Sequence, residues 1–176
     1  MIHNPNLTFK ESLNTCAKSS IEYVVLCHTE VLTRHKVEDV HQWHLKKDWA
    51  GIGYHFFVSK EGEIYKGRPL GSEGAHTRGY NNKSVCVAFE GDFNKEKMSD
   101  KQEYASVMLI ALLSLAYADA KVVCHHDLYK ETVAYFPSAS IIQKVNACKN
   151  AFISLYGKPM VNNKGDFDYS KLLDLV

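Results

Sequence analysis

What this 176-residue chain lacks narrows its class before any motif is read. It has no excess of one charge, since 21 Lys and Arg stand against 20 Asp and Glu for a formal net charge of +1. That balance offers no electrostatic footprint for nucleic acid or an anionic membrane surface, so neither is expected as a partner. No apolar run approaches the length of a membrane-spanning helix. The opening Met1-Ile-His-Asn-Pro-Asn-Leu-Thr8 has no basic stretch followed by an apolar one, so no secretory signal is expected. The five cysteines (16, 27, 86, 124 and 148) are odd in number and form no Cys-x-x-Cys pair. At least one thiol is left over from any pairing, which favours a reducing compartment and a cytoplasmic location over a disulfide framework. There is no internal repeat and no low-complexity tract. A chain of this length is expected to make one domain with a sizeable apolar core.

What is present alternates between strand and helix. Residues 1–20 are polar, carry Pro5, and read as an irregular lead-in with a short helical turn; a domain follows at 21–157 and a tail at 158–176. Ile21 to Thr29 is a nearly continuous β-branched run, the pattern of a central strand covered on both faces. Val37, Val40, His41, His44 and Leu45 make one buried stripe of a helix. Trp49-Ala-Gly-Ile-Gly-Tyr-His-Phe-Phe-Val58 then reads as a helix end, a tight turn in which Gly51 and Gly53 take positive φ, and a strand carrying Tyr54 and His55 inward. Val58 to Tyr65 is a hairpin turning at Glu61-Gly62. The block Gly74 to Ser84 leads into the apolar strand Val85 to Gly91. Phe93 to Met98 is a charged loop. Ser99 with Gln102 predicts a capping box opening an apolar helix to about Ala118. Lys121 to His126 reads as a short strand ending in paired histidines, with an irregular loop from Asp127 to Pro137. Ser138 or Ser140 begins a last helix whose stripe is Ile141, Ile142, Val145, Cys148, Ala151, Phe152 and Leu155, stopped by Gly157 and Pro159. Leu172, Leu173 and Leu175 give the tail a weak apolar end. The fold class is therefore α/β, with a mixed central β-sheet flanked by helices.

Chemistry-bearing residues gather at strand ends. Cys27-His28, Tyr54-His55, His76 and His125-His126 each border an apolar strand, so one sheet edge can bring them together. A sheet with polar turns accounts for the same spacing, and a single histidine is more often structural than a ligand.

Taken in series, the blocks are more specific. Tyr23-Val-Val-Leu-Cys-His-Thr29, His41-Gln-Trp-His44, Trp49 to Phe57, Ile64-Tyr-Lys-Gly-Arg68, Gly74-Ala-His76, Gly79-Tyr-Asn81, Ser84 to Phe93 and His125-His-Asp-Leu128 resemble the zinc N-acetylmuramoyl-L-alanine amidases. That group includes phage T7-type lysozyme amidases and peptidoglycan recognition proteins, and the resemblance runs from about residue 21 to about 155. It implies a mixed sheet with helices on both faces and a groove over one sheet face. It implies a ligand as well, a peptidoglycan fragment (a muropeptide) or another small amide. Tyr54 matches the tyrosine that assists the family's hydrolysis. His76, Thr77, Tyr80 and Asn81 match its groove-lining loop, and with Trp49 they are the implied substrate-binding positions.

The family's zinc is held by a His at the end of the first strand, a late His, and a Cys or Asp just before a proline; it activates water and polarises the lactyl–alanine amide. On this chain the resemblance puts Cys27 at the first position and His125 at the second. The residues before Pro137 are Val133, Ala134, Tyr135 and Phe136, none of which binds zinc. The cofactor is therefore either none or zinc on a reduced donor set. Three readings stay open. One is a binding module that has lost the metal. Another is an amidase with unusual ligands, drawing on Cys27, His125 and one of His28, His126 or Cys124. The third is a metal-free hydrolase with Cys27 as nucleophile and His125 as base. Tyr54, Cys27 and His125 are the catalytic candidates throughout.

Overall fold

The computed structural model describes residues 1–130 and 133–156, so the expected tail and the helix-stopping Gly157 and Pro159 lie outside the described residues. At its centre β2 (Tyr23–His28) and β5 (Ser84–Phe89) run parallel, paired from Tyr23 with Ser84 to His28 with Phe89. Successive side chains on a strand point to opposite faces, which divides each strand between two environments. Val24, Leu26, Val85, Val87 and Phe89 join the main core, whereas Val25, Cys27, Cys86 and Ala88 form a separate cluster. Beyond β2 lies β6 (Lys121–Cys124); beyond β5 come β3 (Phe56–Val58), then β4 (Ile64–Lys66), then β1 (Ile2–His3). The six strands follow the order β1-β4-β3-β5-β2-β6, with β3 and β4 antiparallel and the other pairs parallel. The sheet is mixed, as expected.

Three local readings need correction. Ile2–His3 is an edge strand inside a stretch expected to be irregular; the short helical turn of that stretch is a 3-10 turn at Lys18–Ser20. Tyr54 and His55 precede β3 and do not lie in it. His125 and His126 do not end a strand either. Cys124 is extended and acts as the N-cap of a one-turn helix, α3 (His125–Leu128), which both histidines open.

The main core is closed by α2 (Asp100–Ala116) and α4 (Ser138–Tyr156), which pack on each other over one sheet face. Ser99 caps α2 by accepting the Gln102 N–H at 3.2 Å, but Gln102 does not reach back to complete a capping box. Its buried amide donates instead to Val58 O (3.0 Å) and Glu90 O (2.9 Å), which ties α2 to the ends of β3 and β5. The expected stripe of α4 holds in its first half, where Ile141 and Val145 are buried and Cys148 packs on the core; Ala151 is exposed and Leu155 is 77% exposed. On the opposite face α1 (Val37–Lys46) packs Val37 and Val40 against Ile52 and Phe57. The neighbouring cluster of Val25, Cys27, Cys86 and Ala88 is partnered by Tyr54 and by Leu128 of α3, with loops rather than a long helix above it. A cleft forms there.

Candidate functional site

The glycine turn is built by histidines. His41 Nδ1 accepts the Ile52 N–H (3.1 Å), and its Nε2 meets Thr8 O at 2.9 Å. His44 Nδ1 accepts the Gly53 N–H (3.0 Å), and its ring lies between Trp49 and Tyr54. His55 Nδ1 accepts the Cys86 N–H (3.1 Å), and its Nε2 faces Ser72 O at 3.0 Å. Burial pulls the His44 and His55 rings down to about 4, with Lys47 and Arg68 acting further on His44 and Arg68 on His55. Both are neutral at pH 7, which an acceptor nitrogen requires. Gly51 takes the positive φ expected of it (+146°), but Gly53 is glycine for a different reason. A Cβ at Gly53 would stand 1.9 Å from Ala75 O, where the Ala75 N–H also bonds Gly53 O at 3.0 Å.

That close approach seats the loop between β4 and β5. Asn81 Oδ1 accepts the N–H groups of His76 (2.9 Å) and Thr77 (2.8 Å), while its carbonyl takes the Gly74 N–H (3.1 Å). Asn81 therefore braces the loop. Thr77 is 1% exposed, with Oγ1 at 2.8 Å from His76 Nδ1. A cleft of about 700 Å³ is lined by Trp49, His76, Thr77 and Asn81, together with Arg68, Glu73 and residues 11–14. Tyr80 lines neither this cleft nor its neighbour; its ring meets Tyr23 edge-on at 5.3 Å under the Lys83 ammonium. Two contributors escaped the sequence reading. Arg68 is nearly buried, donating from Nε to Ile52 O (2.8 Å) and from its guanidinium to Glu73 O (2.6 Å). Its signal was the Gly67-Arg68-Pro69 step after a strand. Residues 11–14 carried none, being an unpatterned polar stretch.

The second cleft, about 380 Å³, brings Cys27, Tyr54 and His125 together with His76, His28, Trp43 and His44. Burial, then the neighbouring Cys27 and Cys86, holds the Tyr54 phenol well above its ordinary value, so it is a hydroxyl donor at any physiological pH. Burial drives His76 well below 6.5, helped by His55, His125 and Arg68. The His125 ring packs on Tyr129 at 4.9 Å, and the Tyr129 hydroxyl donates to Arg78 O (3.1 Å). Cys27 is buried, and the Cys86 thiol donates to its sulfur at 3.1 Å. All five cysteines are free. His28, one residue beyond, also lines this cleft, but its ring is held by other partners. Its Nδ1 accepts the Phe93 N–H (3.2 Å), and its ring lies against Phe93 and Phe136.

Of the residues before Pro137, where the resemblance implies a third ligand, Phe136 directly precedes the proline. Its ring is buried among Phe89, Phe93, His28 and His126. A catalytic zinc takes three protein donors and an open position, and the implied set has been reduced to Cys27 and His125. The donors present do not fit the His/His/Cys-or-Asp arrangement.

Comparisons with known proteins converge on one kind. Residues 17–136 match the family model described as N-acetylmuramoyl-L-alanine amidase. The endolysin of Klebsiella phage KP32 is 31% identical over 97 residues, 52% of this chain and 64% of the endolysin, so the match spans less than two thirds of that relative's length. The solved structure of the N-acetylmuramoyl-L-alanine amidase LysC from Clostridium intestinale URNW superposes with a TM-score of 0.74 at 28% identity, covering 83% of this chain and 97% of that one. The ectodomain complex of peptidoglycan recognition proteins LCa and LCx, solved with tracheal cytotoxin bound, gives a TM-score of 0.70 at 26% identity, covering 81% of this chain and 95% of that one. No helix among the described residues is long and apolar enough to cross a membrane.

Proposed function

The chain belongs to the N-acetylmuramoyl-L-alanine amidase family, and from that premise we propose that it recognises a muropeptide without the family's zinc-dependent hydrolysis. One observation carries the reading: Phe136, next to Pro137 where the resemblance implies a third metal ligand, is a buried ring with no donor atom, while the loop that lines the groove is braced by Asn81. Removing a ligand abolishes hydrolysis by the metal route, yet leaves the contacts that hold a substrate in place.

The two clefts share His76 as a lining residue, so a ligand spanning both would pass beside it. Tyr54, protonated, is a donor for an amide carbonyl at its floor. The aromatic face of Trp49 and the Arg68 guanidinium offer an apolar surface and a cation along the larger cleft, suited to a sugar–peptide ligand whose stem bears carboxylates. The tracheal cytotoxin bound by the LCa–LCx neighbour supports a ligand of this kind. Cys27 is a weaker nucleophile candidate than a binding-floor residue, because reactive cysteines sit in partly exposed, electropositive surroundings and this one is 4% exposed.

The experiment is calorimetric titration of purified muropeptide into the protein, followed by mass spectrometry of the recovered ligand. Saturable binding with the lactyl–alanine bond intact is the expected result. No binding, or release of the peptide from the sugar, would contradict the proposal.

A further inference from the structure

A second set of metal donors lies beside the reduced one. Cys27 and Cys86 sit on adjacent parallel strands, β2 and β5, with their side chains on the same sheet face. Their sulfurs are 3.1 Å apart, and His76 reaches down from the groove wall so that one atom of each of the three lies within 4.8 Å of the others. We propose that Cys27, Cys86 and His76 form a thiolate-rich site for a soft divalent ion, zinc by chemistry, at the floor of the groove.

The donor types agree with that ion. Two sulfurs and an imidazole are a zinc set, and three protein donors leave one coordination position open, towards the cleft that Cys27 and His76 line. Tetrahedral Zn–S bonds of about 2.3 Å place two sulfurs about 3.8 Å apart, so the pair needs to part by about 0.7 Å, a small χ1 adjustment on two strands. The imidazole is oriented in advance. A metal-bound histidine characteristically spends its other ring N–H on a neighbouring acceptor, and Thr77 Oγ1 stands 2.8 Å from His76 Nδ1. Gly74 makes room for the ring: a Cβ there would fall 2.4 Å from His76 Cδ2. Cys86 and His76 lie outside the ligand positions the family resemblance implies, so this ion would sit to one side of the expected place. Two thiolates cancel the charge of the ion, which leaves bound water less acidified than on a site with one thiolate. Such a site anchors a carbonyl or carboxylate oxygen, and it accords with binding in the absence of family-type hydrolysis.

The test uses the full chain, reduced, freed of metal, and titrated with zinc and then with cobalt(II). One equivalent should bind, and the cobalt form should show the sulfur-to-metal charge-transfer absorption of thiolate ligation. Cys86→Ser should weaken binding by more than about 100-fold, beyond the loss typical of an outer-shell partner. His76→Gln removes the third donor without touching the sheet and should act likewise, which keeps the test alive if the buried serine variant fails to fold. Cys124→Ser, at a neighbouring group of Cys124, His126 and Asp127, should leave binding unchanged. Absence of metal at excess zinc would overturn the proposal. So would undiminished binding in Cys86→Ser and His76→Gln, loss in Cys124→Ser alone, or a Cys27–Cys86 disulfide as the form in which the reduced and desalted protein settles.

Discussion

The groove has two ends of different character. At the wall, each polar group that shapes the loop has a partner: Asn81 Oδ1 serves two backbone N–H groups, Arg68 two carbonyls, and His41, His44 and His55 each fix a backbone N–H. At the metal end, the resemblance implies an imidazole and a thiolate or carboxylate, and this chain carries the buried Cys27 thiol and, next to Pro137, the buried Phe136 ring. On the proposed reading, the contrast separates recognition from hydrolysis on this scaffold. The wall depends on buried hydrogen bonds spread over fifteen or so residues, each costing about 1–3 kcal/mol to orphan. Zinc hydrolysis depends on three donors, and the loss of any one of them is enough to disable it.

Substitutions at each end sharpen or break that contrast. The largest effect is expected at Gly53, where a Cβ would meet Ala75 O at 1.9 Å. Gly53→Ala should cost about 3 kcal/mol, the upper end for overpacking, and chemical denaturation measures it. A change there of under about 1 kcal/mol would show that the loop is not seated as described. Rebuilding the metal end comes next. Cys27→His with Phe136→Cys exchanges the Cys27–Cys86–His76 donors for a His/His/Cys set, and amidase activity should appear where the unaltered protein has none. An amidase assay at saturating zinc reads the gain; no activity would mean that the backbone before Pro137 has left the family's course.

Asn81→Ala is expected to have a smaller effect, because it unpairs the His76 and Thr77 N–H groups without a clash. Muropeptide affinity should drop at least about tenfold, equivalent to about 1.4 kcal/mol, with the midpoint of unfolding moved less than in Gly53→Ala. The mildest perturbation is pH, which does nothing at neutrality. His55 titrates at about 4 in the fold against about 6.5 when unfolded, so between those values the unfolded chain holds more protons. The contribution of its neutral form is complete above pH 6.5 and is lost as pH falls towards 4. Unfolding free energy measured from pH 7 to 4 should decline over that window, and His55→Gln should flatten the decline.

Much of this was legible in the residues. The branched run at Tyr23–His28 and the apolar Ser84–Phe89 announced buried central strands because parallel strands need apolar cover on both faces. The grouping of Cys27, Tyr54, His76 and His125 followed from their places at strand ends. Other features were not legible. Nothing in a sequence separates a histidine whose Nδ1 accepts a backbone N–H, such as His55, from one that faces a cleft, such as His125; the difference lies in which backbone passes by. Gly53 looked like a residue of positive φ, but it is there for the close passage of Ala75, a contact 22 residues away in the chain. The Cys27–Cys86 pair depends on the register of β2 against β5, which the spacing of two cysteines does not disclose. Gln102 fitted a capping box by position and was drawn elsewhere by the Val58 and Glu90 carbonyls.

The most direct measurement is mass spectrometry of a muropeptide recovered after incubation with the protein as purified. The expected result is a ligand that co-elutes with the protein and keeps its lactyl–alanine bond. A sugar and a peptide recovered separately, with the cleavage stopped by a chelator, would contradict the division between an intact wall and a disabled metal end.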